Sequence, residues 1–207
     1  LSVNTNHPAA PVRQGFSTPA PERLPMLPIE AMSAAQRDAA DALIAGPRKA
    51  VLGPFIPLLR SPALMSRVGQ VGEYLRFDSM LDVRIRELAM CVVARHVSNQ
   101  FEWLMHAPLA LKAGVPQASL DAIAQGRYPH STAPDEAAMV DLVTELLQHH
   151  GVSDSSYAAA LAIFGEQGVV ELTTLVGYFT MVCWVMNVAR TPGQPQPGFS
   201  ALAAFPA

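Results

Sequence analysis

Arg84-Ile85-Arg86-Glu87-Leu88-Ala89-Met90 and, a short way on, Gln100-Phe101-Glu102-Trp103-Leu104-Met105-His106 decide how this chain folds. In the first stretch and its continuation, Ile85, Leu88, Met90 and Val92 make one broad apolar face at helical spacing. In the second, Glu102 and His106 stand four apart among Phe101, Trp103, Leu104 and Met105, so they share one helix face. Two helices are predicted, over residues 81–96 and 99–113, the second stopped by Gly114.

The pattern continues in both directions. Ser33 is read as the N-cap of a helix over 34–45 that ends at Gly46-Pro47. Gly53-Pro54-Phe55-Ile56-Pro57 reads as a turn, and Ser61-Pro62 opens a helix to about Phe77. Further helices are predicted over 117–125, 135–149, 153–164 and 169–189. No stretch alternates long enough to argue a sheet, and short loops make consecutive helices antiparallel neighbours. The expectation is an all-α fold, an antiparallel bundle of about eight helices in one domain over 32–190.

The flanks differ. Residues 1–31 carry Pro8, Pro11, Pro19, Pro21, Pro25 and Pro28, which forbid a helix and predict an irregular arm. The tail over 191–207, with Pro192, Pro195, Pro197 and Gly198, reads the same way.

Half of the 207 residues are hydrophobic and only 15% are charged. That surplus of apolar residues predicts burial between subunits, hence a homo-oligomer: a dimer, trimer or hexamer. A net charge of −3 with no basic patch gives nucleic acid no electrostatic footing. Residues 172–188 are nearly long enough to span a membrane, but Thr173, Thr174, Gly177, Thr180 and Asn187 interrupt them, so an enclosed helix is expected and no membrane. No basic start followed by an apolar core follows Leu1; a cytoplasmic location is expected, and a cleaved exported precursor would read the same. Cys91 and Cys183 lie in apolar runs and read as buried free thiols. No metal-type Cys/His spacing occurs, so no metal is expected.

A carboxylate one turn from an imidazole can hold its tautomer, raise its pKa or share its proton, which makes Glu102 and His106 an acid/base candidate. The alternative is a solvated surface pair. Glu87 comes opposite them if the two helices are antiparallel; otherwise it pairs with Arg84 or Arg86.

Arg-Glu-Leu-Ala at 86–89, then Phe-Glu-Trp-x-x-His at 101–106 and Ala-x-x-Ala-Gly at 110–114, resembles the central motif of the carboxymuconolactone decarboxylase family, which includes alkylhydroperoxidase D-type proteins. Gly46-Pro47-Arg48, Gly53-Pro54-Phe55, Gly72-Glu73-Tyr74-Leu75-Arg76-Phe77, Val152-Ser153-Asp154 with Tyr157, and the run from Phe164 to Leu172 resemble the family's longer members. The resemblance spans about 24–190 and implies an alkylhydroperoxidase D-like bundle.

It also implies a site. In the peroxidase branch a glutamate, a Cys-x-x-Cys pair and a histidine work together. Glu87 and His106 match the glutamate and the histidine, but the cysteine positions hold Asn99 and Glu102. Disulfide-based peroxide reduction needs two adjacent sulfurs, so that activity is not expected. The decarboxylase branch implies loss of carbon dioxide from 4-carboxymuconolactone, giving an enol-lactone of 3-oxoadipate without a cofactor. His106 would then return a proton to carbon, Glu102 would orient it and Glu87 would relay protons. Arg95 or Arg76 would hold substrate carboxylates, with Asn99 and Trp103 beside them. Other acid/base chemistry on a lactone-like metabolite, or a non-catalytic oligomer, stands beside this reading. Either enzyme reading predicts that His106→Ala abolishes turnover with little loss of stability.

Other residues read as structural. His96, His130, His149 and His150 are given no site role, the last two suiting a helix C-terminus. Tyr74, Tyr157 and Tyr178 either donate a hydrogen bond in a pocket or, more commonly for such residues, pack in the core with a satisfied hydroxyl. Pro108, two residues past His106, frees a backbone carbonyl near Leu104 and either shapes a pocket or only bends the helix.

Overall fold

The computed structural model describes residues 21–129 and 133–203. Most of the proline-rich arm, with Pro8, Pro11 and Pro19, lies outside the described residues, as do His130 and the last four residues of the tail. Among the described residues there are eight α-helices and no strand: α1 (Ala34–Ala45), α2 (Phe55–Leu58), α3 (Pro62–Glu73), α4 (Val83–His96), α5 (Gln100–Lys112), α6 (Gln117–Ala124), α7 (Pro134–His149) and α8 (Asp154–Ala189).

Local chemistry explains the boundaries. Ser33 and Gln36 form a reciprocal capping box on α1. Asp82 and Asn99 cap α4 and α5, the Asn99 side chain accepting from the amide of Glu102 at 2.8 Å. Gly114 ends α5 at φ +102°, a left-handed conformation that glycine adopts without strain.

Three expectations are corrected. Gly53–Pro57 is not only a turn, because Phe55–Leu58 closes one helical turn with Phe55 and Leu58 buried. The helix opened by Pro62 is α-helical only to Glu73; Tyr74–Asp78 continues as a π turn, with the Ser79 amide donating to the Tyr74 carbonyl at 2.9 Å. The two last predicted helices run on as one, α8, broken at Gly165, whose φ of +67° and ψ of 177° are not helical.

α4 is the centre of the bundle and packs against α5, α7 and α8. Leu88, Ala89, Met90, Cys91, Val93 and Ala94 are all buried, so it is enclosed on nearly every side. α8 is long and apolar enough to cross a membrane by length and composition. In this fold it is a core helix, with Leu172, Leu175, Phe179, Val182, Cys183 and Met186 buried against α4 and α7. The described part of the arm is irregular up to a single 3-10 turn at Ile29–Ala31, which departs from the expected helix-free arm, and both arm and tail pack down. The Arg23 amide donates to the Ala189 carbonyl at the end of α8, and the tail lies along the start of α5.

Candidate active site

Helix α5 brings Phe101, Glu102, Met105 and His106 to one face, the i, i+1, i+4, i+5 set that a helix aligns. That face floors a cavity of about 300 Å³. Its other walls come from the segment before α2 (Pro47, Arg48, Ala50, Leu52), from the π turn (Arg76, Phe77) and from α8 (Tyr178, Phe179, Val182). The volume is at the lower end of the roughly 300–1,000 Å³ usual for small-molecule sites.

His106 is clamped between two carboxylates. Its Nδ1 lies 2.6 Å from Oε2 of Glu87 on α4, and its Nε2 lies 3.0 Å from Oε2 of Glu102. All three are buried, at 2%, 7% and 3% exposure for His106, Glu87 and Glu102. The ring edge meets the Phe179 ring at a centroid distance of 5.4 Å. Burial alone would lower the His106 pKa, but the hydrogen bonds to Glu102 and Glu87 outweigh it and hold the imidazole above its ordinary value. Glu102 and His106 line the cavity and Glu87 stands behind the ring.

The alternative partners for Glu87 are taken elsewhere. Arg84 binds Asp135 and Glu136 at the start of α7, and Arg86 donates to the Arg76 carbonyl at 2.6 Å. The solvated-pair reading of Glu102 and His106 fails on their burial.

The expected substrate-binding residues divide. Arg76 lines the cavity. Arg95, Asn99 and Trp103 do not, which corrects their placement. Arg95 donates to the Ala203 carbonyl at 2.9 Å, and the Trp103 indole to the Ser200 carbonyl at 3.0 Å, so the tail occupies both. Asn99 donates to the Cys183 carbonyl and to Asn187 while capping α5, which spends its amide on structure. Arg48 and Tyr178, neither of them assigned to the site from the sequence, are cavity residues. The signal for Arg48 was its place in Gly46-Pro47-Arg48; Tyr178 gave none beyond its hydroxyl.

Both cysteines are free and fully enclosed, and burial pushes both thiols well above their usual range. Among the described residues no group of three His, Cys, Asp or Glu side chains is arranged to hold a metal. The larger hollow of about 630 Å³ near Tyr74 and Glu171 is less suited to chemistry, since the Glu171 carboxylate already accepts from Tyr74, Ser79, Gln167 and the Met80 amide.

Residues 62–145, from α3 through most of α7, match the model of the Carboxymuconolactone decarboxylase family. Over that segment the chain is similar to the carboxymuconolactone decarboxylase family. Arg76, Glu87, Glu102 and His106 fall inside the matched segment, whereas Arg48 and Tyr178 fall outside it. Two solved structures share this fold. One is the alkylhydroperoxidase AhpD core of an uncharacterized peroxidase-related protein from Ralstonia eutropha JMP134, 15% identical, with a TM-score of 0.67 over 86% of this chain and 93% of that one. The other is a protein of unknown function from Agrobacterium tumefaciens, a candidate antioxidant defence protein AhpD, 15% identical, with a TM-score of 0.58 over 67% of this chain and 96% of that one. No curated protein matches the chain by sequence.

Proposed function

We propose that this chain is a cofactor-free acid/base enzyme, a carboxy-lyase acting on a small carboxylated lactone. The observation that carries the reading is His106, buried with a carboxylate on each ring nitrogen at the floor of a mostly apolar cavity. Two carboxylates favour the imidazolium, so one transferable proton is stored at the floor near neutral pH.

The chemistry asks little else of the protein. Loss of carbon dioxide leaves an electron pair that spreads through the alkene onto the lactone carbonyl oxygen. One proton then returns to carbon, and solvent restores it to the site. Glu87 on Nδ1 fixes the ring, the role first expected of Glu102. Glu102 on Nε2 faces the cavity and passes the His106 proton outward. Arg76 supplies a cation for substrate carboxylates. The buried, unpaired thiols favour this route over a thiol peroxidase.

The test is carbon dioxide release from 4-carboxymuconolactone by wild type and His106→Gln. His106→Ala is a poorer choice than the sequence suggested, because two buried carboxylates would lose their shared partner at about 3–5 kcal/mol. Turnover by wild type that falls at least about 100-fold in His106→Gln supports the reading; no turnover by wild type rejects it.

A homo-oligomer belongs to the same proposal. Val170, Trp184 and Val188 are all more than half exposed along one side of α8, and a second copy would cover them. Light scattering should give a mass above 22.1 kDa that falls in Trp184→Glu.

A further inference from the structure

Arg48 is the least satisfied charged side chain in the described structure. Its Nε and Nη2 are buried without a hydrogen-bond partner, although buried donors are nearly always paired. It forms no ion pair among the described residues; Glu102 and Glu73 act on it only from a distance. Its guanidinium lies over the Phe55 ring, 4.5 Å from the centroid, which fixes its plane.

Two more donors share its wall. Arg76 lines the same cavity from the π turn, stacked on Phe77 at 5.2 Å and also without an ion pair. The Tyr178 hydroxyl stands beside Arg48, both pressed against the backbone of α3 at Gly72. A Cβ there would lie 2.0 Å from Tyr178 Oη and 2.6 Å from Arg48 Nη2. Burial pushes the Tyr178 phenol up to about 12, so it remains a donor at neutral pH.

We propose that Arg48 and Tyr178, with Arg76 beside them, form a carboxylate-binding wall of this cavity, so that the site selects small organic anions over neutral molecules of the same shape. Two unpaired guanidinium groups in a mostly apolar cavity are costly without a counter-charge, and a planar carboxylate matches the guanidinium fork. A bound carboxylate would meet the Arg48 guanidinium and the Tyr178 hydroxyl where they line the cavity, while the rest of the ligand lies toward Glu102 and His106. Arg48 and Tyr178 come from outside the segment that matches the family, so this wall is a feature of the chain's own flanking segments. The inference deepens the proposed reaction and rests on the same cavity, but it makes a binding claim that is separable from turnover.

Calorimetric titration of the full chain with adipate and with dimethyl adipate tests it. Adipate should bind wild type with dimethyl adipate at least about 10-fold weaker, as expected when a charge-assisted pair is lost. Arg48→Gln should lose at least about 10-fold in adipate affinity and Tyr178→Phe a smaller amount, while His106→Gln still binds. A thermal melt checks that each variant is folded; should Arg48→Gln melt early, Tyr178→Phe carries the decision. Absence of adipate binding to wild type, equal binding of the diester, or unchanged affinity in both variants would overturn the wall. Arg48-dependent adipate binding stands whether or not a lactone is turned over. Lactone turnover that is indifferent to Arg48→Gln would sink the wall and leave the acid/base unit standing.

Discussion

Glu87 Oε2 lies 2.6 Å from His106 Nδ1, on α4 and behind a ring whose other nitrogen faces Glu102. The charge on Glu87 is one of the causes holding the His106 pKa up. Glu87→Gln keeps the size and removes the charge, so the imidazole pKa should fall. The basic limb of the pH–rate profile should then move to lower pH and kcat should drop about 100-fold. The linked stability has a definite sign. A raised folded value means that the His106 contribution is complete below the ordinary histidine range and is lost as pH rises through the folded value. Glu87→Gln should shrink that alkaline loss in melts from pH 6 to 9. An unmoved basic limb would show that Glu87 does not govern the ring.

Glu171 holds the turn that carries Arg76. Its carboxylate accepts from the Tyr74 hydroxyl at 2.5 Å, Ser79 Oγ at 2.6 Å, the Met80 amide at 2.9 Å and Gln167 Nε2 at 2.8 Å. It therefore grips both ends of the π turn that carries Arg76. Burial opposes ionisation here, but the bonds from Ser79, Tyr74, Gln167 and Met80 win and pull the pKa down to about 2. A depressed value gives stability that is present above the ordinary carboxylate range and lost as pH falls toward about 2. Glu171→Gln should flatten the acid side of the stability curve and cost about 1–3 kcal/mol at neutral pH. Denaturant titrations at pH 7 and pH 3 check both. An equal loss at the two pH values would refute the linkage.

The helices were readable because α4 and α5 carry an apolar helical period and because Ser33 caps its own chain neighbours, whereas the caps Asp82 and Asn99 fall inside the helices that the sequence predicts. The meeting of Glu87 with His106 was readable as soon as α4 and α5 were antiparallel. What failed was non-local. The π turn over Tyr74–Asp78 is held by Glu171, 91 to 97 positions away in the chain. Trp103 and Arg95 sit near the motif, yet a tail about 100 residues distant takes their donors. Tyr178 reached the cavity only because α8 crosses behind Gly72, and no local spacing records that approach.

The two arginines first paired as substrate ligands should therefore behave oppositely. Arg76→Gln removes a cavity cation and should raise KM about 10-fold or more. Arg95→Gln and Trp103→Phe should leave KM unchanged and lower stability instead, because they loosen the tail from α5. For Trp103→Phe the expected cost is about 1–3 kcal/mol, since the Ser200 carbonyl loses its donor and the smaller ring leaves space. Steady-state kinetics and melts on the three variants separate the cases; a raised KM in Arg95→Gln would return it to the site.

Gly53 packs against Phe101 in the cavity floor. Its φ is +56°, and an added Cβ would come within 2.4 Å of the Phe101 ring. Two costs follow for Gly53→Ala: backbone strain in the left-handed region, and overpacking of about 1–3 kcal/mol against the Phe101 ring. Phe101 precedes Glu102 and lines the same space, so a displaced ring narrows the cavity while leaving the Glu87–His106–Glu102 unit in place. Gly53→Ala should therefore raise KM more than it lowers kcat and should reduce the melting temperature. Adding Phe101→Ala to Gly53→Ala removes the obstacle and should recover KM, although the strain at position 53 persists. If the double variant binds no better than Gly53→Ala alone, the ring contact is not what limits the cavity.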